Sequence, residues 1–209
     1  MRIDPAGYPF IVGALVVAVL VGSFANWTLA IPFFVLASFF LFFFRDPDRA
    51  VTDRPAAVLS PADGRVMVAG TTTGLQTPPG TWQQVSIFLS PMDVHVNRMP
   101  VGGRVTSVRY HPGRFLPAYR ADAGDLNEYT EVWIDHAGQT IVLRQIVGIL
   151  ARRIVCRARE GDVVKAGDRF GVMKFGSRMD LFLPLDATLH VKPGDRVIGA
   201  VTVLGELHQ

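Results

Sequence analysis

At 209 residues the chain has room for one ordinary domain and an appendage. A net charge of +3 is too small to specify a partner, and no Lys/Arg run carries the interleaved aromatics of a nucleic-acid surface. The single cysteine, Cys156, excludes an intrachain disulfide and a cysteine-based zinc cluster, and its apolar-basic surroundings predict a buried thiol.

Hydrophobic residues make up 49% of the chain, and the excess is local. Tyr8 to Ala25 and Leu29 to Phe44 are almost wholly apolar, with Asn26-Trp27-Thr28 between them. These runs of 18 and 16 residues stand near the ~17-residue lower limit for crossing a bilayer. They predict a helical membrane hairpin over residues 1–46, with Trp27 at an interface. Gly13, Gly22 and the alanines would let the two helices approach closely. A spanning pair and a shallow re-entrant wedge both satisfy the pattern. A cleaved signal peptide fits it less well, because Asp4 accompanies Arg2 and a second apolar run follows at once. A soluble hairpin would need a large partner surface over Phe39, Phe40, Phe42, Phe43 and Phe44.

Pro47 and Pro55 end the helical character. From there to residue 209 short β-rich runs alternate with Gly, Pro and Asp turns. The expected strands are Val66–Ala69, Gln84–Leu89, Gly103–Tyr110, Glu128–Ile134, Thr140–Val147, Ile154–Arg157, Arg169–Lys174, Asp180–Leu185 and Val197–Leu204. Tyr110 to Asn127 is the least regular stretch and reads as a loop over a site. Val164-Lys165-Ala166-Gly167-Asp168-Arg169 is echoed by Val191-Lys192-Pro193-Gly194-Asp195-Arg196. In both, a Gly-Asp turn leads into an apolar strand, as in the repeats of biotinyl and lipoyl domains. The expected fold is mainly β: a compact antiparallel barrel or sandwich with biotinyl/lipoyl-like repeats, behind the helical hairpin.

Phe175-Gly176-Ser177 carries the chemistry. A serine after a glycine on a tight turn can attack the carbonyl before it, and glycine permits the strained backbone this requires. Such a serine needs a base and an oxyanion stabiliser; without them Ser177 is an ordinary turn residue. His95, in Asp93-Val94-His95-Val96-Asn97, is the candidate base; on a strand its ring would face away from Val94 and Val96. Asp63 is either a turn residue or the group that orients the imidazole. Arg98, Arg152, Arg153 and Arg178 could grip a phosphate, or form a solvated basic face; Arg152 and Arg153 are expected on one strand with Arg157 and Arg159. No metal site is expected.

Five stretches, Phe43-Phe44-Arg45-Asp46-Pro47, Ser60-Pro61-Ala62-Asp63-Gly64, Asp93-Val94-His95-Val96-Asn97-Arg98-Met99-Pro100, Ala151-Arg152-Arg153-Ile154 and Met173 to Pro184, together resemble the short form of the bacterial phosphatidylserine decarboxylase proenzymes. The resemblance runs from about Gly7 to the C-terminus; the order and spacing of the motifs make it specific. It implies autocatalytic cleavage between Gly176 and Ser177 into a large chain, 1–176, and a small chain, 177–209, that remain together as a heterodimer. It implies a pyruvoyl cofactor made from Ser177, on which phosphatidylserine is decarboxylated to phosphatidylethanolamine and CO₂ through a Schiff base. Asp63 and Ser177 match the family's self-cleavage aspartate and serine. The resemblance also implies action at the cell membrane, on its cytoplasmic face. In longer members a second histidine serves as the self-cleavage base; here that position is Arg98, and the first histidine matches His95. Arginine stays protonated and is a poor base, so Arg98 would instead stabilise an oxyanion or hold phosphate.

Two rivals differ in class. A membrane-linked serine hydrolase would use Ser177, His95 and Asp63 and keep an intact chain, although it lacks a G-x-S-x-G elbow. A carrier domain would be modified at Lys174, in Met173-Lys174-Phe175.

Overall fold

The structure, a computed structural model, describes residues 1–51, 54–73, 78–149, 153–174 and 176–208. The chain divides into two compact units, Met1–Asp48 and Arg49–Gln209.

In the first unit β1 (Arg2–Ile3) pairs antiparallel with β2 (Arg45–Asp46) and closes the base of a hairpin formed by α1 (Tyr8–Phe24) and α2 (Trp27–Phe43). Asn26 caps α2, its side chain accepting from Thr28 N–H at 2.7 Å. The buried seam is made of Ile11, Ala14, Ala18 and Gly22 on α1 and Ala30 and Ala37 on α2, so small residues set the approach. Gly22 lies against the Trp27 ring and has no room for a Cβ, whereas Gly13 faces open space and takes no part in the packing. Val12, Val16, Leu20, Leu29, Ile31 and Val35 point outward, so both helices are apolar on their exposed faces. One helical stretch, Pro5–Phe24, is long and apolar enough to cross a membrane.

The second unit contains β3 (Ala57–Leu59), β4 (Gly64–Thr73), β5 (Thr81–Leu89), β6 (Val96–Arg98), β7 (Gly103–His111), α3 (Ala123–Leu126), β8 (Tyr129–His136), β9 (Gln139–Ile146), β10 (Ile154–Cys156), β11 (Val163–Val164), β12 (Arg169–Met173), β13 (Ser177–Leu183), β14 (Thr188–Leu189), β15 (Arg196–Val197) and β16 (Val203–Glu206). Eight of these strands form one curled antiparallel sheet, β11-β7-β8-β9-β13-β5-β4-β15. Two three-stranded sheets, β10-β12-β6 and β14-β16-β3, complete the unit. The large sheet is open, with β11 and β15 at its edges, so the expected barrel or sandwich takes the form of a curled half-barrel.

Alternation explains the core. Val132 and Ile134, Ile141 and Leu143, Met179, Leu181 and Leu183, and Val85, Ile87 and Leu89 all point to one face of the large sheet and form a single cluster. β13 is buried on both faces. Its other face carries Arg178, Asp180 and Phe182. Arg178 donates to both oxygens of Asp180, at 2.6 and 2.8 Å, and to Ser86 Oγ at 3.1 Å. Arg144 donates to Glu131 at 2.6 Å and to the Gly124 carbonyl at 3.3 Å, which ties α3 down over this face.

The two Lys-x-Gly-Asp segments fold alike. Asp168 accepts from Lys165 N–H at 2.7 Å and Asp195 from Lys192 N–H at 2.9 Å. Gly167 and Gly194 take positive φ, 84° and 98°. Each turn then clasps a neighbouring residue through both its N–H and its C=O, Met99 in the first case and Val66 in the second. Arg159-Glu160-Gly161-Asp162 is a third copy, with Asp162 accepting from Arg159 N–H at 2.8 Å and the turn clasping Val105. The likeness to biotinyl and lipoyl repeats is confined to these turns. β12, after the first, pairs with β6 and β10, whereas β15, after the second, is an edge strand on β4. Cys156 lies in β10, half-buried rather than fully buried, and its burial pushes the thiol pKa up.

Candidate active site

Ser177 is the first residue of β13, paired with Leu89, and not a turn residue. It is fully buried, and its Oγ has no hydrogen-bond partner among the described residues. Buried hydroxyls are seldom left unpaired, so this one marks stored reactivity or strain. The preceding Gly176 has φ 71°, in the left-handed region. Nothing lies within 4 Å of the position a Cβ would take, so glycine is needed there for its backbone and not for space. Phe175 lies outside the described residues.

β6 pairs with β12, and Met173 N–H donates to the His95 carbonyl at 3.3 Å. That contact brings the fully buried His95 beside the start of β13. Its Nδ1 is 3.0 Å from the Asp93 carbonyl oxygen. A carbonyl only accepts, so the proton sits on Nδ1 and Nε2 keeps its lone pair. Gly176 N–H donates to Nε2 at 3.4 Å. The residue before the serine and the basic nitrogen of the histidine are therefore in contact, 81 positions apart in sequence.

Asp63 sits elsewhere than expected. Its Oδ2 accepts from Arg49 at 2.8 Å and its Oδ1 from Gly199 N–H at 2.8 Å. The imidazole is oriented by the Asp93 backbone instead. Burial is the largest influence on Asp63 and raises its pKa; the Gly199 N–H and Arg49 oppose it, and the Asp93 charge adds to it. Asp93 in turn accepts from Ser90 N–H at 2.9 Å and pairs with Arg196 at 3.3 Å, which fixes the turn that carries its carbonyl.

Among the described residues, the candidate arginines do not converge. Arg98 is buried and donates to the Gly167 carbonyl at 3.2 Å. Arg178 is adjacent to Ser177 on a strand and so points to the opposite face, where Asp180 holds it. Arg153 is exposed just before β10, and Arg152 lies outside the described residues. β10 holds only Ile154–Cys156, so the expected row of arginines on one strand is not formed.

Three features were not read from the sequence. Gly148 lies against Gly176: a Cβ there would overlap the Gly176 carbonyl oxygen and stand 3.3 Å from the Ala118 Cβ. Asn127 is buried and donates to the carbonyls of Leu116 and Val147, each at 2.8 Å, while accepting from Leu116 N–H at 2.8 Å. It staples the irregular 112–122 segment to the strand exit that carries Gly148. Gln145 and Asn97 share a 2.8 Å hydrogen bond, yet Gln145 Oε1 and Asn97 Nδ2 are buried without partners among the described residues. Gln145 faces Met179 in register, so it shares the face of β13 that carries Ser177. A Gly-Ser pair and a lone histidine had sequence signals; these contacts have none, because each joins segments far apart in the chain.

A buried nucleophile, a glycine in the left-handed conformation before it and a histidine nitrogen in contact with that glycine suit an intramolecular acyl shift. A family model described as Phosphatidylserine decarboxylase matches residues 36–205. The chain is 43% identical over 205 residues to the phosphatidylserine decarboxylase proenzyme of Nitrosomonas europaea, covering 97% of this chain and 94% of the relative. It is 43% identical over 204 residues to that of Symbiobacterium thermophilum, with the same coverage, and 44% over 209 residues to that of Granulibacter bethesdensis, covering 97% and 84%.

Proposed function

The chain belongs to the phosphatidylserine decarboxylase family, and on that premise we propose that it cuts itself between Gly176 and Ser177, converts Ser177 to a pyruvoyl group and decarboxylates phosphatidylserine to phosphatidylethanolamine. The observation that carries this is the contact of His95 Nε2 with Gly176 N–H beside the unpartnered Ser177 hydroxyl. Nε2 takes the Oγ proton as Oγ bonds to the Gly176 carbonyl carbon. The C–N bond breaks, the nitrogen of residue 177 leaves as an amine, and an ester joins the two residues. Loss of the residue 177 α-proton then expels the Gly176 carboxylate and leaves dehydroalanine. Tautomerisation, addition of water and loss of ammonia give the ketone.

The site fits the group: residue 177 begins a strand buried on both faces, which shields it from bulk water. A pyruvoyl ketone beside an amide carbonyl supplies an electron sink for the pair released with CO₂. His95, having served as base, is placed to hold the proton that the product carbon needs. Asp93 keeps Nε2 basic by occupying Nδ1. Asp63, held by Arg49 and Gly199 N–H, acts on the Asp93 turn through its charge and not by contact with the imidazole. Arg98 and Arg153 remain the candidates for the phosphate, with Arg152 adjoining; Arg178 serves the fold through Asp180.

The two products stay together because β13 pairs with β5 from Ser177 to Leu183 and with β9 from Arg178 to Phe182. β16, also in the small chain, pairs with β3 in the large one. The hairpin anchors the enzyme to the cytoplasmic face of the membrane, where its substrate resides. Ser177→Ala tests the whole scheme: it should remain one chain of full length and show no decarboxylation, and a cut or active variant would refute it.

A further inference from the structure

Gly176 has an unusual setting. On one side stands the 112–122 segment, which Asn127 staples to Val147 and which reaches Gly148 through Ala118. Gly148 itself backs the Gly176 carbonyl. This segment exposes Phe115 and Tyr119, at 38% and 63%, and the next residue after Gly148, Ile149, is 53% exposed. Arg114, next to Phe115 in sequence, is also exposed. On the other side Ile154 pairs with Met173, so the exposed Arg153 lies beside the strand end that leads to Gly176. Large apolar side chains and arginines thus lie on the segments that adjoin Gly176.

Tyr119 is held as well as exposed. Its ring meets Phe88 edge-on with centroids 6.1 Å apart, and Phe88 faces Arg178 in the strand pairing, on the face of β13 opposite to Ser177. Aromatic rings fixed at a surface beside arginines match the boundary between acyl chains and anionic headgroups, where rings sit at headgroup depth and guanidinium groups meet phosphate. Scattered exposed hydrophobes mean little; these lie on segments that adjoin one site, whose substrate has two acyl chains.

We propose that Phe115, Tyr119 and Ile149, with Arg114 and Arg153, form a rim that docks the catalytic unit onto an anionic phospholipid surface, so that a headgroup reaches residue 177 without leaving the bilayer. The proposal rests on the decarboxylase mechanism above, and it assigns to the β-rich unit a lipid contact of its own, apart from the hairpin.

The test compares two presentations of one substrate. The full-length triple variant Phe115→Ser, Tyr119→Ser, Ile149→Ser should cut itself normally, because all three side chains are exposed. On phosphatidylserine in vesicles its kcat/KM should fall on the order of tenfold, while on monomeric dihexanoyl phosphatidylserine it should stay within about twofold of wild type. Arg114→Glu with Arg153→Glu should flatten the rise of vesicle activity with phosphatidylglycerol content. Equal losses on both substrates would overturn the proposal, as would unchanged activity on vesicles. A change in the oligomer's mass in detergent, with both activities lost, would assign the face to a second copy of the chain and overturn it too. Wild-type turnover of the soluble substrate reports separately on the decarboxylase mechanism, so the two failures are told apart.

Discussion

His95 reaches Gly176 through Nε2 because Asp93 takes Nδ1. His95→Ala should leave the proenzyme uncut or cut very slowly, by a factor on the order of 10²–10⁴ as for loss of a general base; a time course of chain cleavage measures it, and normal cleavage would remove His95 from the scheme. Gly148→Ala should also stall cleavage, because its methyl would displace the Gly176 carbonyl. Material that does mature should turn over normally, since Gly176 is then a free terminus, and loss of turnover in matured enzyme would show a wider role. Asp63 gives a pH signature. Its pKa is raised above 3.8 in the fold, so the folded state holds the proton that the unfolded state has released. The stability this contributes is full below about 3.8 and is lost as pH rises through the folded value. Asp63→Asn should flatten that acid-side fall in stability, measured as thermal midpoint against pH in Ser177→Ala protein. Gly176, Ser177 and His95 were legible in sequence through residue type and neighbours. The Asp93 carbonyl and Gly148 were not, since a backbone atom has no signature and a close approach between residues 28 apart in sequence leaves none. The opposite facing of Arg178 follows from strand alternation once β13 is known to start at Ser177 and not at Asp180.

Among the elements, strands with long alternation lie close to their expected positions, as does the short β10, whereas the expected strand Val197–Leu204 is two short strands, β15 and β16, with a turn between them, and β3, β6, β11 and β14 escaped. β6, β11 and β14 are held by pairing partners and by the Gly-Asp turns, not by a period of their own. The turns are the recurrent device. Two were visible as an echo, and the third, Arg159 to Asp162, was hidden because no matching strand sequence follows it. Each Asp carboxylate satisfies one N–H, so Asp162→Ala, Asp168→Ala and Asp195→Ala should each cost about 1 kcal/mol, read from denaturant midpoints. Three unequal costs, with one near zero, would show that the turns are alike only in shape. The Asn127 staple satisfies three backbone groups of two segments, and its loss should loosen the 112–122 segment selectively, seen as faster proteolytic nicking there.

For the whole molecule, the hairpin was legible because no soluble helix pair is apolar on its outward faces without cover. α2, at 17 residues, rises about 25 Å, short of a ~30 Å hydrocarbon core, whereas the 20-residue stretch Pro5–Phe24 reaches about 30 Å. The sheet's openness was not legible, since strand count and spacing do not say whether edges meet. Its pairing has a consequence for maturation. On the proposed cut, the small chain would begin at the centre of the large sheet, freeing one strand end and leaving its ladders intact on both sides. The two chains should therefore copurify and part only on denaturation.

The central claim is that Ser177 ceases to be a serine. Intact mass spectrometry of the purified protein tests it most directly. The account predicts two chains split after Gly176, the smaller one of 33 residues carrying the mass of an N-terminal pyruvoyl group. A single chain of full mass, stable on prolonged incubation, would contradict it and leave Ser177 and His95 to hydrolase chemistry.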